Sequence, residues 1–155
     1  MTQYLAVVGP GDGATADDLA AAHEVGSLLA EAGAIVLTGG RGGVMAAATD
    51  GAAATGGLTV ALQPGAVREP SAAAVVLPTG LGELRNALLI RCADAVIAVG
   101  GSWGTLSEVA LARRTGVPVV VLGGWQVSDR DGAPVDLARV DTAREAVDHA
   151  LGLSL

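Results

Sequence analysis

Short apolar runs alternate along this chain with longer stretches in which apolar residues return every three or four positions. The runs are Tyr4–Val8, Ala34–Thr38, Leu58–Leu62, Ala74–Leu77, Ala95–Val99 and Val117–Leu122. They are dense in valine, leucine and isoleucine and show little polar alternation, the pattern of strands covered on both faces in a parallel sheet. Helical periods fill the intervals at 15–32, 43–55, 81–92, 105–115 and 142–151. The first opens on Thr15 and Asp18, at the spacing of a capping box. It places Leu19, Ala22, Val25, Leu28, Leu29 and Ala32 on one face and stops at Gly33. Strand and helix in strict alternation predict an α/β fold: a Rossmann-like doubly wound parallel sheet with helices on both faces. Residues 1–155 read as a single domain, since no linker or repeat interrupts the pattern. The segment 123–136 is a predicted surface loop.

Composition narrows the chemistry. Of 155 residues, 51% are apolar and 16% charged, which excludes a disordered chain. Alanine (31) and glycine (23) dominate, and the only aromatics are Tyr4, Trp103 and Trp125, too few to build a base-stacking platform. All nine basic residues are arginine. Without lysine there is neither a Schiff base to pyridoxal phosphate nor a Walker P-loop lysine. A net charge of −7 argues against a nucleic-acid partner. His23, His149 and the single Cys92 have no metal-ligand spacing, so no metal is expected. Cys92 has no internal disulfide partner, and no apolar run reaches the roughly 18 residues of a membrane span. Residues 1–10 lack the features of a signal peptide. The expectation is a soluble, cytoplasmic protein with no membrane partner. The alanine-rich helices at Met45–Ala54 and Ala87–Ala93 are apolar enough to bury two faces, one on the sheet and one on a partner, which predicts a homo-dimer or homo-tetramer.

Three glycine-rich loops follow strands, where open α/β sheets hold their ligands. Gly9-Pro10-Gly11-Asp12-Gly13-Ala14 matches G-x-G-x-x-A in form. The second strand, however, ends Val36-Leu37-Thr38-Gly39, without the acid that holds a dinucleotide ribose, so the loop reads as a tight turn. Gly39-Gly40-Arg41-Gly42-Gly43, followed by Val44-Met45, exposes backbone N–H groups at a helix start. The dipole there contributes about 0.3–1 kcal/mol toward an anion. Arg41 is either part of that site or a solvated loop residue. Gly100-Gly101-Ser102-Trp103-Gly104-Thr105-Leu106-Ser107-Glu108 offers a second such turn. Two helix starts at neighbouring strand ends would converge on one anion.

Two residues carry paired readings. Thr105-x-x-Glu108 has capping-box spacing, so Glu108 serves either as a cap or as a site carboxylate. Arg85 falls in the first turn of a helix, where a cation opposes the dipole, which points to an anionic partner beside the default of a surface ion pair. Gly100–Gly104 also matches G-x-S-x-G, the hydrolase nucleophile elbow, and chain order permits a triad of Ser102, Asp129 or Asp136, and His149. Against it, the cap places the helix start at Thr105, and His149 falls inside the last helix.

In combination these stretches resemble the LONELY GUY (LOG) or "possible lysine decarboxylase" family. The matching residues are Gly39–Met45, Asp50-Gly51-Ala52, Gly56–Val60, Glu83-Leu84-Arg85-Asn86, Ala93-Asp94-Ala95 and Gly100–Glu108. Lysine decarboxylation itself is excluded by the missing lysine. LOG enzymes hydrolyse the N-glycosidic bond of cytokinin riboside monophosphates and carry a P-G-G-x-G-T-x-x-E signature with an upstream arginine. By this resemblance the ligand-binding residues are Gly39, Gly40, Arg41, Gly42, Gly43, Met45, Gly100, Gly101, Ser102, Gly104 and Thr105. Arg85 and Glu108 are catalytic if the chain is an enzyme. Gly100 stands in place of the signature proline, Ser102 in place of a glycine, and Asn86 in place of a lysine. The short chain and these departures resemble the subgroup that includes molybdenum-cofactor carriers, which hold a phosphate-bearing pterin without known chemistry. The expected function is therefore binding of a phosphorylated small molecule, an AMP-like nucleotide or the molybdenum cofactor. The alternative is a phosphoribohydrolase.

Overall fold

A computed structural model of the chain describes residues 1–152. Seven strands form one sheet in the order β4-β3-β2-β1-β5-β6-β7, every neighbouring pair parallel. In chain order the elements are β1 Tyr4–Val8, α1 Ala16–Glu31, β2 Ile35–Thr38, α2 Val44–Ala54, β3 Thr59–Gln63, β4 Val75–Pro78, α3 Leu84–Cys92, β5 Ala95–Val99, α4 Trp103–Thr115, β6 Val119–Leu122, β7 Ala138–Val140 and α5 Ala143–Ala150. This is the doubly wound Rossmann-like architecture expected from the alternating pattern.

Strand pleating divides the core into two layers. On β1, Leu5 and Val7 face one layer with α1, α2 and α5, while Ala6 and Val8 face the other with α3 and α4. The chain runs outward from β1 to β4 and then returns to β5 on the other side of β1. The switch point, where such sheets open a crevice, lies between β1 and β5.

Local signals explain most ends. Thr15 and Asp18 form the expected capping box of α1, and Thr142 and Glu145 do the same for α5. Gly33 follows α1 with φ 77°. Two helices pack backbone to backbone. A side chain on Gly26 would strike the Ala48 carbonyl, and one on Gly51 would strike the carbonyl of His23. The second face of α2, expected to meet a partner subunit, is therefore largely taken by α1.

The structure also differs from the expectations. β7 escaped prediction because three residues of mixed polarity carry no period. The 123–136 segment, by contrast, is loop as expected, with one bridge between Ser128 and Pro134. Helix α4 begins at Trp103, two residues before the expected start. No helix among the described residues is long and apolar enough to cross a membrane.

Candidate functional site

The turn after β2 is held open by glycine. Gly40 and Gly43 have φ of 70° and 64°, a region that side chains with a Cβ avoid. Gly43 also lies against the carbonyls of Pro10 and Gly11, and the Val44 N–H donates to Pro10 O at 3.0 Å. The first glycine loop is thus a structural buttress under α2, consistent with its reading as a turn. Among the described residues, no protein acceptor engages the N–H of Gly42, Gly43, Met45 or Ala46. Helix α2 has no side-chain cap. Its free amides open beside a cleft bordered by Gly40, Arg41, Gly42, Thr49, Glu69 and Ser71. Gln63, buried at the end of β3, fixes the far wall of that cleft. Its amide donates to the Glu69 carbonyl and accepts from the Glu69 N–H, both at 2.9 Å. Sequence reasoning missed Gln63, a lone polar residue ending an apolar run.

Arg85 comes from α3 to the start of the same turn, at Gly39. It is 7% exposed, and its Nε and Nη1 are buried without a hydrogen-bond partner. Its guanidinium lies directly on the Cα of Gly39, where any Cβ would collide with Nη1, and Met45 Sδ flanks the same spot. Burial pulls the Arg85 proton affinity below the ordinary guanidinium range. Glu108 opposes that shift, and exposed Arg41 adds to it. Two like charges near one unfilled hydrogen-bonding group make a place that an anion would stabilise.

The turn after β5 is more closed. Ser102 is the N-cap of α4; its Oγ accepts from the Thr105 N–H at 3.1 Å and pairs with Thr105 Oγ1 at 2.9 Å. This replaces the expected Thr105–Glu108 capping box. Glu108 makes no cap: it sits on the buried side of α4, 8% exposed. Burial raises its pKa to about 7, with Arg85 pulling the other way. Gly100 has φ 74°, and Gly101 lies under the Trp125 ring, which packs edge-on to exposed Trp103 at 5.0 Å between centroids. Arg139 holds the Trp125 carbonyl at 2.6 Å. Neither the Trp125 cover nor the Arg139 tether was legible in a loop without periodicity.

The two turns do not spring from neighbouring strands, as the sequence reading had assumed. β1 separates β2 from β5, and α2 and α4 lie on opposite faces of the sheet. Two strand spacings make roughly 10 Å, too far for one phosphate to touch both turns. Arg85 rests on the first of them, at Gly39, and a ligand using both turns must span the gap.

The proposed serine triad is not assembled. Ser102 is occupied by Thr105, Asp136 pairs with Arg113, and the Asp129 carboxylate accepts the amides of Asp131 and Ala133. His149 lies on α5 and borders one cleft with Asp136 and Arg113 at the start of β6. A helix starting at Thr105 is no obstacle, because α4 follows Ser102 directly. What excludes the triad is that Ser102 follows the carboxyl end of β5, at the other end of the parallel sheet from that cleft.

A family model described as the SLOG cluster4 family matches residues 2–147. An uncharacterised protein of Archaeoglobus fulgidus is 35% identical over 144 residues, covering 86% of this chain and 85% of that one. Among solved structures, the molybdenum cofactor binding protein of Rippkaea orientalis superposes with a TM-score of 0.87 at 32% identity, covering 99% of this chain and 98% of that one. The molybdenum cofactor carrier protein of Chlamydomonas reinhardtii gives 0.84 at 32% identity, with the same coverage.

Proposed function

The chain belongs to the SLOG cluster4 family, and from that premise we propose that it binds a phosphorylated small molecule without hydrolysing it. The leading ligand is a phosphate-bearing pterin of the molybdenum-cofactor type. One observation carries the reading: Arg85 is buried with two nitrogens unpartnered, beside the free amides of the Gly39–Gly43 turn and close to Arg41. A buried cation left this way is unfavourable until an anion fills it. The phosphate pairs with Arg85, Arg41 and the α2 amides. The rest of the ligand crosses toward Glu108 and the turn at Gly100, Gly101, Ser102, Gly104 and Thr105. The likeness to two molybdenum-cofactor proteins over nearly the whole chain supports the pterin. The test is titration with inorganic phosphate, AMP and molybdenum cofactor, alongside mass spectrometry of what copurifies. Saturable binding with no base released from AMP is expected. Absence of binding at millimolar ligand contradicts it.

One observation favours a second reading, the phosphoribohydrolase. Glu108, its pKa raised by burial to about 7, suits acid–base work near neutrality. Against it, Gly100 at φ 74° occupies a conformation closed to the proline of the LOG signature, so this turn follows another path. Adenine released from AMP by wild type and not by Glu108→Gln would establish this reading instead. A homo-dimer or homo-tetramer also belongs to the proposal, joined through the exposed Val75 and Leu77 of edge strand β4 and through Leu81. So does a cytoplasmic location, with Cys92 an exposed free thiol.

A further inference from the structure

Apart from Tyr4, the only aromatics are Trp103 and Trp125, and the fold brings these two together. Trp125 lies on Gly101, and Arg139 tethers its carbonyl at 2.6 Å. Trp103, the first residue of α4, meets it at 5.0 Å between centroids with the ring planes 80° apart. The pair makes a corner, one wall standing on the other. Trp103 is 79% exposed, so a face of its indole is open to solvent. It borders a groove of about 480 Å³ between α4 and the first turn of α3, a volume in the range of small-molecule sites. Leu84, 71% exposed, lines the opposite side together with Asn86. These two are the chain neighbours of Arg85. Arg85 turns inward to Gly39, while its neighbours line the groove. The first turn of α3 is all that separates the two places, on the order of one helix diameter, about 10 Å.

We propose that the exposed face of Trp103 stacks the flat heterocycle of the phosphorylated ligand, with Trp125 as the upright wall of that subsite. The inference rests on the anion-binding reading above and names what the other end of the ligand meets. Charge separates the two ends. The groove is lined by Glu83 and, among the described residues, by no cation, so it repels a phosphate and takes the uncharged part of the molecule. The Glu83 carboxylate has no ion-pair or capping partner among the described residues. It accepts N–H bonds, which favours an amino-bearing ring of pterin or purine type. Two tryptophans cannot track a strand of bases, but a single ring needs a single open face. The Arg139 tether fixes Trp125 before the ring arrives, so little ordering remains to oppose binding.

The test separates ring from phosphate. Ribose 5-phosphate carries the anion without a ring, and AMP and neopterin monophosphate each add one. Calorimetric titration of the full chain should show at least one ring ligand binding about tenfold or more tighter than ribose 5-phosphate. Trp103→Ala should abolish that advantage, bringing the ring ligand down to the affinity of ribose 5-phosphate. Tryptophan fluorescence gives a second readout on the unaltered protein, because its only indoles are Trp103 and Trp125. The ring ligand should quench it, and ribose 5-phosphate should not. This readout decides even if the variant does not fold. Equal affinities for all three ligands in the wild type, an advantage retained in folded Trp103→Ala, or ring binding without quenching overturns the proposal. Absence of binding by all three overturns the anion reading itself, an outcome distinct from binding that ignores the ring.

Discussion

Arg85 and Glu108 are both buried at the cost of their hydration. The sequence flagged Arg85 for a sound reason, because a cation in the first turn of a helix runs against the dipole. It could not show that the guanidinium would rest on Gly39, since that contact joins α3 to the end of β2 across the chain. Glu108 was ambiguous because Ser102-x-x-Thr105 and Thr105-x-x-Glu108 both have capping spacing. A local pattern cannot say which of two overlapping caps the helix uses. The tertiary fold uses the first and buries Glu108. Its raised pKa has a consequence for stability. With the folded-state value at about 7 against an ordinary 4.5, the folded protein holds this proton more tightly than the unfolded chain does. Stability therefore falls as pH rises from about 4.5 to 7 and stays lowered above, by about 3 kcal/mol. Glu108→Gln should exceed wild type by roughly that much in urea unfolding at pH 8, and by under about 1 kcal/mol at pH 5. An equal gap at both pH values would contradict this origin.

At the scale of elements, six of the seven strands and all five helices were legible, because each buried strand is a continuous apolar run and each helix has its own period. Strand order was not legible. Nothing in β2 or β5 states that β1 lies between them, and this is why the two glycine turns were expected side by side. The α1–α2 contact was equally hidden, since Gly26 and Gly51 look like ordinary helix-weakening glycines until the backbones are seen to touch. Gly51→Ala makes the distinction measurable. In an exposed helix the change would stabilise by up to about 1 kcal/mol. Here the added methyl meets the His23 carbonyl, and a loss of about 1–3 kcal/mol in thermal or urea unfolding is expected. A gain would mean the helices lie further apart.

For the molecule as a whole, a net charge of −7 repels anions in general. Affinity for one must come from a local exception, and Arg41 with Arg85 beneath an uncapped helix start supplies it. The exposed apolar edge at Val75 and Leu77 makes a second prediction. Light scattering at micromolar concentration should give a dimer or tetramer, and Val75→Asp with Leu77→Asp should shift it toward the monomer. A monomeric wild type would remove the oligomer from the account.

The central claim is that Arg85 receives the anion of the ligand. Calorimetric titration of inorganic phosphate into wild type and Arg85→Gln, at one pH and with folding verified by circular dichroism, tests it most directly. The account predicts saturable binding to the wild type and at least about tenfold weaker binding to the variant, the loss of one charge-assisted contact. Equal affinity in the two folded proteins would contradict it.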